Sequence, residues 1–305
     1  MRAPATIEMR RLTRSFGDNV AVDRLTVDVE AGELFGIVGP DGAGKTTTLR
    51  MLAGVLRPTE GTAVVAGVDV ASDPEHVKPH IAYMSQRFGL YEDLTVRENL
   101  DFYADVYRVP KSERPERLGR LYAFSRLGEF TDRLAGKLSG GMKQKLSLSC
   151  ALIHKPDILL LDEPTFGVDP ISRRELWLIL HEMVAEGITI VVSTSYLDEA
   201  ERCDRVALLN EGRLLALDTP HALQTSVPGR ILSIEANEPR PARDVLRGAD
   251  FVHSAYLFGD VVHALVDATV TDDDVMAPLQ SAGLSVRTYE ETAPSLEDVF
   301  MALVG

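Results

Sequence analysis

Residues 39–46 read Gly39-Pro40-Asp41-Gly42-Ala43-Gly44-Lys45-Thr46 and fit the phosphate-loop pattern G-x-x-x-x-G-K-[ST]. An apolar run at 34–38 precedes this loop and a helical pattern at 45–53 follows it, as the pattern requires. Glycines let backbone N–H groups surround phosphate oxygens, and the helix adds the positive end of its dipole. We expect Lys45 to contact the β- and γ-phosphates of a nucleotide and Thr46 to bind Mg²⁺. These flanks argue against the alternative, a glycine-rich turn with a chance lysine.

A second motif is an apolar run that ends in two carboxylates, Ile158-Leu159-Leu160-Leu161-Asp162-Glu163-Pro164. A buried strand would place both acids at its carboxyl end, where open α/β sheets bind ligands. Adjacent side chains of a strand point to opposite sides, so the two acids can have different roles. We expect Asp162 to hold Mg²⁺ and Glu163 to polarise or deprotonate the attacking water. Without the phosphate loop, a solvated acidic turn would be the favoured interpretation.

Short apolar runs alternate with helical patterns over residues 1–217, which predicts an α/β domain with a largely parallel sheet. The clearest buried strands are predicted at 34–38, 158–161 and 188–192, and helices at 45–53, 96–107, 141–153 and 172–185.

Residues 218–305 differ in composition, with 14 acidic and 5 basic residues. Their pattern predicts a βαββαβ unit of the ferredoxin-like type, hence a small α+β domain. Its elements are predicted at 231–235, 242–246, 252–257, 261–266, 272–281 and 285–289, with a hairpin turn at 258–260. A last helix at 295–303 opens with Ser295 and Asp298 as a cap pair.

Composition narrows the classes of function. The formal net charge is −14, so we expect no nucleic-acid partner, because phosphate backbones need a surplus of basic side chains. Two distant cysteines, Cys150 and Cys203, are too few for a disulfide framework or a cysteine zinc site, and we expect two buried thiols. No apolar run approaches a spanning helix and the N-terminus lacks a signal-peptide core, so we expect a chain that is soluble by itself; if it serves a membrane process, the membrane part is another polypeptide.

The sequence Leu138-Ser139-Gly140-Gly141 stands between the phosphate loop and the acidic strand. A serine hydroxyl and glycine amides at a helix N-terminus form an anion site. In this order the three motifs resemble the ATP-binding-cassette (ABC) family, whose signature motif is LSGG. The resemblance covers about residues 6–217 and implies a P-loop NTPase fold with a helical subdomain at about 87–155.

Further positions match the family in order. Phe16 lies where the family has an aromatic that stacks on adenine, although a core phenylalanine is an open alternative. Gln86 resembles the glutamine that reaches Mg²⁺ and the attacking water. The segment 167–170 resembles the loop that crosses the dimer interface, with Asp169 near the nucleotide. Residues 87–99 resemble the surface that receives a coupling helix of a membrane subunit, although without the family an amphipathic loop and helix start is an open alternative.

The resemblance implies an ATP-hydrolysing transport subunit that uses ATP and Mg²⁺. Two cassettes, identical or different, would close head to tail on nucleotide. A transmembrane permease of the ABC-2 type would contact residues 86–94, and the chain would lie peripherally on the cytoplasmic face of the membrane. The implied nucleotide contacts are Phe16, Gly39, Pro40, Asp41, Gly42, Ala43, Gly44, Lys45, Thr46, Thr47, Gln86, Ser139, Gly140, Gly141 and Asp169. The implied metal ligands are Thr46, Gln86 and Asp162, and the catalytic residues are Glu163, Lys45, Gln86 and Ser195.

The tail resembles the accessory domain of ABC-2-type exporter ATPases. Asp41 and its neighbourhood resemble the first cassette of tandem two-cassette multidrug-efflux ATPases, so the chain is interpreted as a single subunit or one half of such a protein. An exporter of drug-, lipid- or polysaccharide-type cargo follows. We expect a dimer-stabilising or regulatory role for 218–305, and surface or packing roles for His253 and His263.

Two positions depart from the family pattern. Ser195 stands where the family has a histidine that reaches the γ-phosphate, and Phe166 replaces a small polar residue before Gly167. Serine is shorter and neutral, so it would need a bridging water. We therefore hypothesise that this site hydrolyses ATP slowly or is one half of an asymmetric pair. Two alternatives remain: a soluble ABC ATPase that acts on ribosomes or DNA, and a regulatory cassette with little hydrolysis.

Overall fold

The computed structural model describes residues 5–86 and 89–304. The chain divides into two units between Leu214 and Leu215, three residues before the division at 217/218 that the sequence pattern predicts. In the part of the chain described, no helix has the length and apolar character needed to span a membrane.

The first unit begins with strands and helices that alternate along the chain. In order they are β1 (Ala5–Phe16), β2 (Asn19–Glu30), β3 (Leu34–Val38), α1 (Lys45–Leu52), β4 (Glu60–Val65), β5 (Val68–Asp69), α2 (Pro74–Val77), β6 (Ile81–Met84), α3 (Val96–Val106), α4 (Arg114–Ser125), α5 (Gly140–Leu152), β7 (Ile158–Asp162), α6 (Pro170–Ala185), β8 (Thr189–Thr194), α7 (Leu197–Ala200), β9 (Arg205–Asn210) and β10 (Arg213–Asp218). Strand β10 crosses the division between the units. Every strand and helix predicted for residues 1–217 is present, with ends that differ by at most two residues.

The central sheet has the strand order β10-β9-β3-β8-β7-β6. The pairs β3–β8, β3–β9, β7–β8 and β6–β7 are parallel. All residues of β3, β7 and β8 are buried, as expected for strands covered on both faces. Because these three strands are neighbours and parallel, their carboxyl ends meet at one edge of the sheet.

A second sheet, with the order β2-β1-β4-β5, is antiparallel. The sequence pattern predicted a largely parallel sheet, which the central sheet confirms, but it did not predict this second, antiparallel sheet. Strand β2 buries Val22, Leu25, Val27 and Val29 and exposes polar residues between several of them. The pairing of β1 with β4 joins segments far apart in the chain, which local alternation cannot reveal.

Helices α3, α4 and α5 share a hydrophobic cluster of their own, which includes Leu100, Leu121 and Leu146. The N-terminus of α3 carries a capping box of Thr95 and Glu98. These helices lie within the range predicted for a helical subdomain. Cys150 is buried in this cluster, and Cys203 is also buried, as the sequence predicted.

The second unit contains α8 (Pro220–Thr225), β11 (Arg230–Ala236), α9 (Pro239–Arg247), β12 (Val252–Phe258), β13 (Val261–Val266), α10 (Asp272–Ser281), β14 (Val286–Thr292) and α11 (Leu296–Val304). Its sheet has the order β12-β13-β11-β14 with antiparallel pairs, which confirms the predicted βαββαβ topology. Helices α9 and α10 bury Leu246 and Leu279 against the sheet.

Two details of this unit were also predicted. Ser295 and Asp298 form reciprocal hydrogen bonds at the start of α11, as a capping box does. Asp298 further accepts from Tyr256 Oη at 2.6 Å and lies 2.9 Å from His263 Nδ1. Although burial opposes it, hydrogen bonds from these three partners lower the pKa of Asp298 to about 2. His263 thus has a packing role, while His253 lies at the surface beside Asp267.

Candidate nucleotide-binding site

The phosphate loop connects β3 to α1 in a conformation that depends on its glycines. Gly42 and Gly44 have φ angles of 82° and 99°, in the left-handed region. A Cβ on Gly39 would lie 2.1 Å from the Leu209 carbonyl oxygen, and one on Gly44 would lie 2.4 Å from that of Ala21. Any side chain at these two positions would therefore displace the neighbouring backbone.

Lys45 begins α1, and its side chain is 5% exposed. The ammonium donates to the carbonyl oxygens of Gly39 at 2.8 Å and Pro40 at 3.0 Å. It also donates to Ser195 Oγ at 2.9 Å and lies 3.4 Å from Glu163 Oε1. One buried cation thus lies beside the loop and the carboxylate that the sequence assigned to catalysis.

Thr46 and Asp162 are brought together across the sheet edge. The Thr46 hydroxyl donates to Asp162 Oδ1 at 2.9 Å, and Ser193 Oγ donates to the same oxygen at 2.8 Å. Tyr83 Oη lies 3.4 Å from Asp162 Oδ2, and burial together with this carboxylate raises the pKa of Tyr83. Asp162 is 1% exposed, so its carboxylate is held in one orientation by these donors.

Glu163 follows β7 with a φ of 48°, an uncommon value for a residue other than glycine. Its backbone N–H donates to the Ser193 carbonyl oxygen at 3.1 Å. Its carboxylate accepts from Gln86 Nε2 at 2.9 Å on one oxygen and from Ser195 Oγ at 2.8 Å on the other. The structure therefore unites Lys45, Gln86, Glu163 and Ser195, the four residues predicted to be catalytic.

An open cavity of about 700 Å³ lies over the phosphate loop. Phe16 lines it and is 48% exposed, so the alternative of a core phenylalanine is wrong. The guanidinium of Arg14 lies 4.5 Å from the centre of the Phe16 ring. The lining also includes Asn19, Val20, Ala21 and Glu211, which the sequence did not single out. Asn19, Val20 and Ala21 begin β2 and Glu211 lies in the turn between β9 and β10, so only the tertiary fold places them near the phosphate loop, and no local motif marks them.

The residues of the signature motif, Ser139 to Gly141, lie outside the described lining of this cavity. Ser139 is the N-cap of α5, and its hydroxyl accepts from Met142 N. A Cβ on Gly141 would lie 2.3 Å from Ser172 Oγ, so the signature loop packs against the start of α6. Among the described residues that line the cavity, Ser139, Gly140 and Gly141 do not occur. These residues therefore do not complete the cavity of their own chain.

Asp169 and Phe166 belong to the loop between β7 and α6. Asp169 caps α6, accepting from Ser172 N at 3.0 Å, and hydrogen bonds from the Ser172 backbone and side chain lower the pKa of Asp169. Phe166 is 57% exposed. Asp169 is absent from the described lining of the cavity, so in a single chain it does not contact the nucleotide pocket.

The donor set suits a hard divalent cation that is held partly by phosphate oxygens. Thr46 and Asp162 supply a hydroxyl and a carboxylate in direct contact, and Gln86 lies against Glu163. In the described part of the chain, no group of three or more His, Cys, Asp or Glu residues could hold a metal ion by itself. Mg²⁺ typically uses one or two carboxylates plus substrate phosphates, so these residues fit it.

These features define a P-loop nucleotide-binding domain joined to an α+β unit. A family model described as ABC transporter matches residues 22–166, and one described as ATP-binding protein DrrA1-3-like, C-terminal domain, matches residues 219–304.

Curated relatives span both units. The probable multidrug ABC transporter ATP-binding protein YbhF of Escherichia coli K12 is 45% identical over 99% of this chain and 52% of its own length. The chain thus spans about half the length of that relative. The Nod factor export ATP-binding protein I of Burkholderia lata is 37% identical over 99% of this chain and 97% of its own. The daunorubicin/doxorubicin resistance ATP-binding protein DrrA of Streptomyces peucetius is 37% identical over 98% and 92%.

Solved structures agree with this placement. An ATP-binding subunit of an ABC transporter is 32% identical, with a TM-score of 0.65 over 72% of this chain and 92% of its own. A dimeric post-hydrolysis state of an ATP-binding cassette, bound to ADP and Pi, is 25% identical, with a TM-score of 0.63 over 70% and 98%. The chain belongs to the ABC transporter ATP-binding family.

Proposed function

We propose that this chain is the ATP-binding and ATP-hydrolysing subunit of an ABC exporter. The convergence of Lys45, Gln86, Glu163 and Ser195 beside the phosphate loop is the observation that carries the proposal. The relatives are named as ATP-binding proteins of transport and resistance systems, which favours a transport role over a ribosomal or DNA-bound one.

The residues divide the chemistry among them. Backbone N–H groups of the loop and the Lys45 ammonium bind the phosphates, which positions the γ-phosphate in line with a water. Glu163 accepts or polarises the proton of that water, and Gln86 and Ser195 hold its carboxylate by hydrogen bonds. Thr46, Gln86 and Asp162 would hold Mg²⁺, which supplies charge neutralisation at the phosphate oxygens.

The base would stack on Phe16 at the far side of the cavity. Its exposed ring provides a flat apolar surface, and Arg14 lies over that ring. Stacking on an aromatic side chain is tolerant of base identity, so Phe16 would contribute affinity more than selectivity.

A second cassette, either another copy of this chain or a homologue, would complete the nucleotide site. The position of Ser139–Gly141 outside its own cavity supports this arrangement, because the signature serine and amides remain available to a partner's phosphates. The dimeric cassette structure with ADP and Pi is consistent with it. Residues 218–305 would stabilise or regulate the dimer, and unchanged self-association after their deletion would contradict a stabilising role.

A transmembrane permease of the ABC-2 type would contact residues 86–94, so the chain would lie peripherally on the cytoplasmic face. Arg87 and Phe88 of this segment lie outside the described residues. Tyr91, 47% exposed, packs edge-on against Phe102, 36% exposed, at 4.6 Å between ring centres, so an apolar aromatic surface is available nearby. We propose cargo of drug, lipid or polysaccharide type; the relatives named for multidrug transport and for daunorubicin/doxorubicin resistance support the drug type.

Equilibrium titration with Mg·ATP tests the proposal directly. Lys45→Ala removes the only side-chain cation of the phosphate-loop motif, so affinity should fall by about tenfold or more. Lys111→Ala, at an exposed site outside the cavity, is the matched control and should bind as the wild type does. Full affinity in Lys45→Ala would refute the proposed function.

A further inference from the structure

Glu199 is a buried carboxylate close to the site but outside the lining of its cavity. It lies on α7, four residues after Ser195, and is 1% exposed. Burying a carboxylate is costly unless its oxygens are paired. Its partners therefore indicate which parts of the structure it holds together.

One oxygen of Glu199 joins the two turns that carry the catalytic residues. Oε2 accepts from Thr165 Oγ1 at 2.8 Å and from Thr194 Oγ1 at 2.9 Å. Thr165 lies two residues after Glu163, and Thr194 immediately precedes Ser195. The relative position of Glu163 and Ser195 thus depends on a shared buried acceptor.

The other oxygen faces the helix that follows the dimer-crossing loop. Arg173 Nε lies 3.3 Å from Glu199 Oε1, and the Arg173 guanidinium lies 4.3 Å from the centre of the Tyr196 ring. The backbone N–H of Arg173 donates to the Asp169 carbonyl oxygen at 2.9 Å, in the first turn of α6. Glu199 therefore connects three segments: the turn after Glu163, the Ser195 turn and the first turn of α6.

We infer that Glu199 is a positioning residue for ATP hydrolysis. It holds the Ser195 hydroxyl against Glu163 and ties both to the first turn of α6, the helix that Asp169 caps. The inference rests on the proposed ATPase function and extends it to a residue that does not touch nucleotide. Its side-chain contacts do not include the phosphate loop; the bond from Gly39 N to the Thr194 carbonyl is a backbone bond. Glu199 should therefore affect turnover without affecting nucleotide affinity.

Isosteric changes at the two threonines provide the sharpest test. Thr194→Val and Thr165→Val keep the side-chain shape and remove one donor each. We expect kcat to fall by about tenfold or more, since a displacement of about 1 Å in a catalytic group costs about a hundredfold in rate. The Kd for Mg·ATP should stay within about twofold. Thr194→Ser and Thr165→Ser keep the hydroxyl and should retain most of the wild-type rate. A merely structural role in packing would not require this, because valine matches the shape of threonine better than serine does.

Glu199→Gln keeps an acceptor for both hydroxyls but loses the charge opposite Arg173, and it should lower kcat at unchanged Kd. Asp198→Asn, an exposed carboxylate on the same helix, is the matched control. Unchanged kcat in the valine and glutamine variants, serine variants as slow as the valine ones, or a Kd that rises in step with the loss of kcat would overturn the inference. The inference also fails if the variants lose activity only because they unfold and no folded variant is slowed. Glu199 would then be purely structural.

The same experiment separates the two proposals. Wild-type chain that hydrolyses no ATP, alone or with its partners, would refute the proposed function and this inference with it. Wild-type turnover with unaffected variants would refute the inference alone.

Discussion

The Ser195 hydroxyl donates to Glu163 Oε1 at 2.8 Å, at the position where the family resemblance places a histidine. The same hydroxyl accepts from the Lys45 ammonium at 2.9 Å. Serine thus bridges the catalytic carboxylate and the phosphate-binding cation, both of which it reaches directly. A neutral hydroxyl is shorter than an imidazole and carries no charge to the γ-phosphate, so it stabilises developing charge there less well.

Replacing Ser195 by histidine should therefore raise turnover. We expect kcat of Ser195→His to exceed that of the wild type by severalfold, because the imidazole can donate to the γ-phosphate. Steady-state phosphate release at saturating Mg·ATP measures the change, and Ser195→Ala tests whether the hydroxyl contributes at all. A rate in Ser195→His that is equal to or below the wild-type rate would contradict the slow-site hypothesis.

Glu163→Gln should abolish most turnover and preserve nucleotide binding. The amide keeps the size of the carboxylate but is a poor proton acceptor, so loss of general base catalysis of about 10²-fold or more is expected. With ATP bound but not hydrolysed, the dimer should persist longer, which size-exclusion chromatography with ATP would detect. Glu182→Gln, on the exposed face of α6, is the control. If Glu163→Gln leaves both ATPase rate and dimer lifetime untouched, hydrolysis at this site is not the function.

Phe16→Ala should weaken binding of ATP but not of the triphosphate chain alone. Loss of aromatic stacking costs roughly 1–3 kcal/mol per base, or about fivefold to 150-fold in Kd. Titration with inorganic tripolyphosphate should give equal affinities for wild type and variant, since the proposed role of the ring is to stack on the base and not to contact the phosphates. Phe16→Trp keeps a stacking surface and should bind ATP normally. Equal weakening for both ligands would point to a structural role for the ring.

Asp298 should make the second unit sensitive to acid. Its folded-state pKa, about 2, is below the usual value of 3.8. The stability that the Asp298 charge contributes to the folded state is therefore complete above the unfolded-state pKa, and it is lost as the pH falls from about 4 towards 2. The shift corresponds to roughly 2–3 kcal/mol.

Denaturant titration of the full chain between pH 7 and pH 3 tests this point. Asp298→Asn should lower the free energy of unfolding at pH 7, and the difference from the wild type should shrink as the pH falls. Asp260→Asn, in the exposed hairpin turn, is the control and should change neither the free energy of unfolding at pH 7 nor its dependence on pH. A pH-independent difference would show that the charge on Asp298 does not contribute.

The strand–loop–helix around Lys45, the acidic end of β7 and the topology of the second unit were all predictable. In each case the deciding information is local: glycines that permit a left-handed backbone, an apolar run of strand length, or alternation with a recognisable turn. The roles of Ser139 and Gln86 depended on a family resemblance, because a lone serine or glutamine carries no chemistry in its spacing.

Local sequence therefore defined the phosphate loop, the two carboxylates at the end of β7, and many of the helices and strands. Tertiary structure decided which distant groups meet: Lys45 with Ser195, Thr46 with Asp162, and Glu199 with Thr165, Thr194 and Arg173. The antiparallel sheet that brings Phe16 to the cavity was likewise decided by tertiary structure. Backbone conformation follows from neighbouring residues, whereas contacts between remote strands depend on the order and register of the whole sheet, which no short segment encodes.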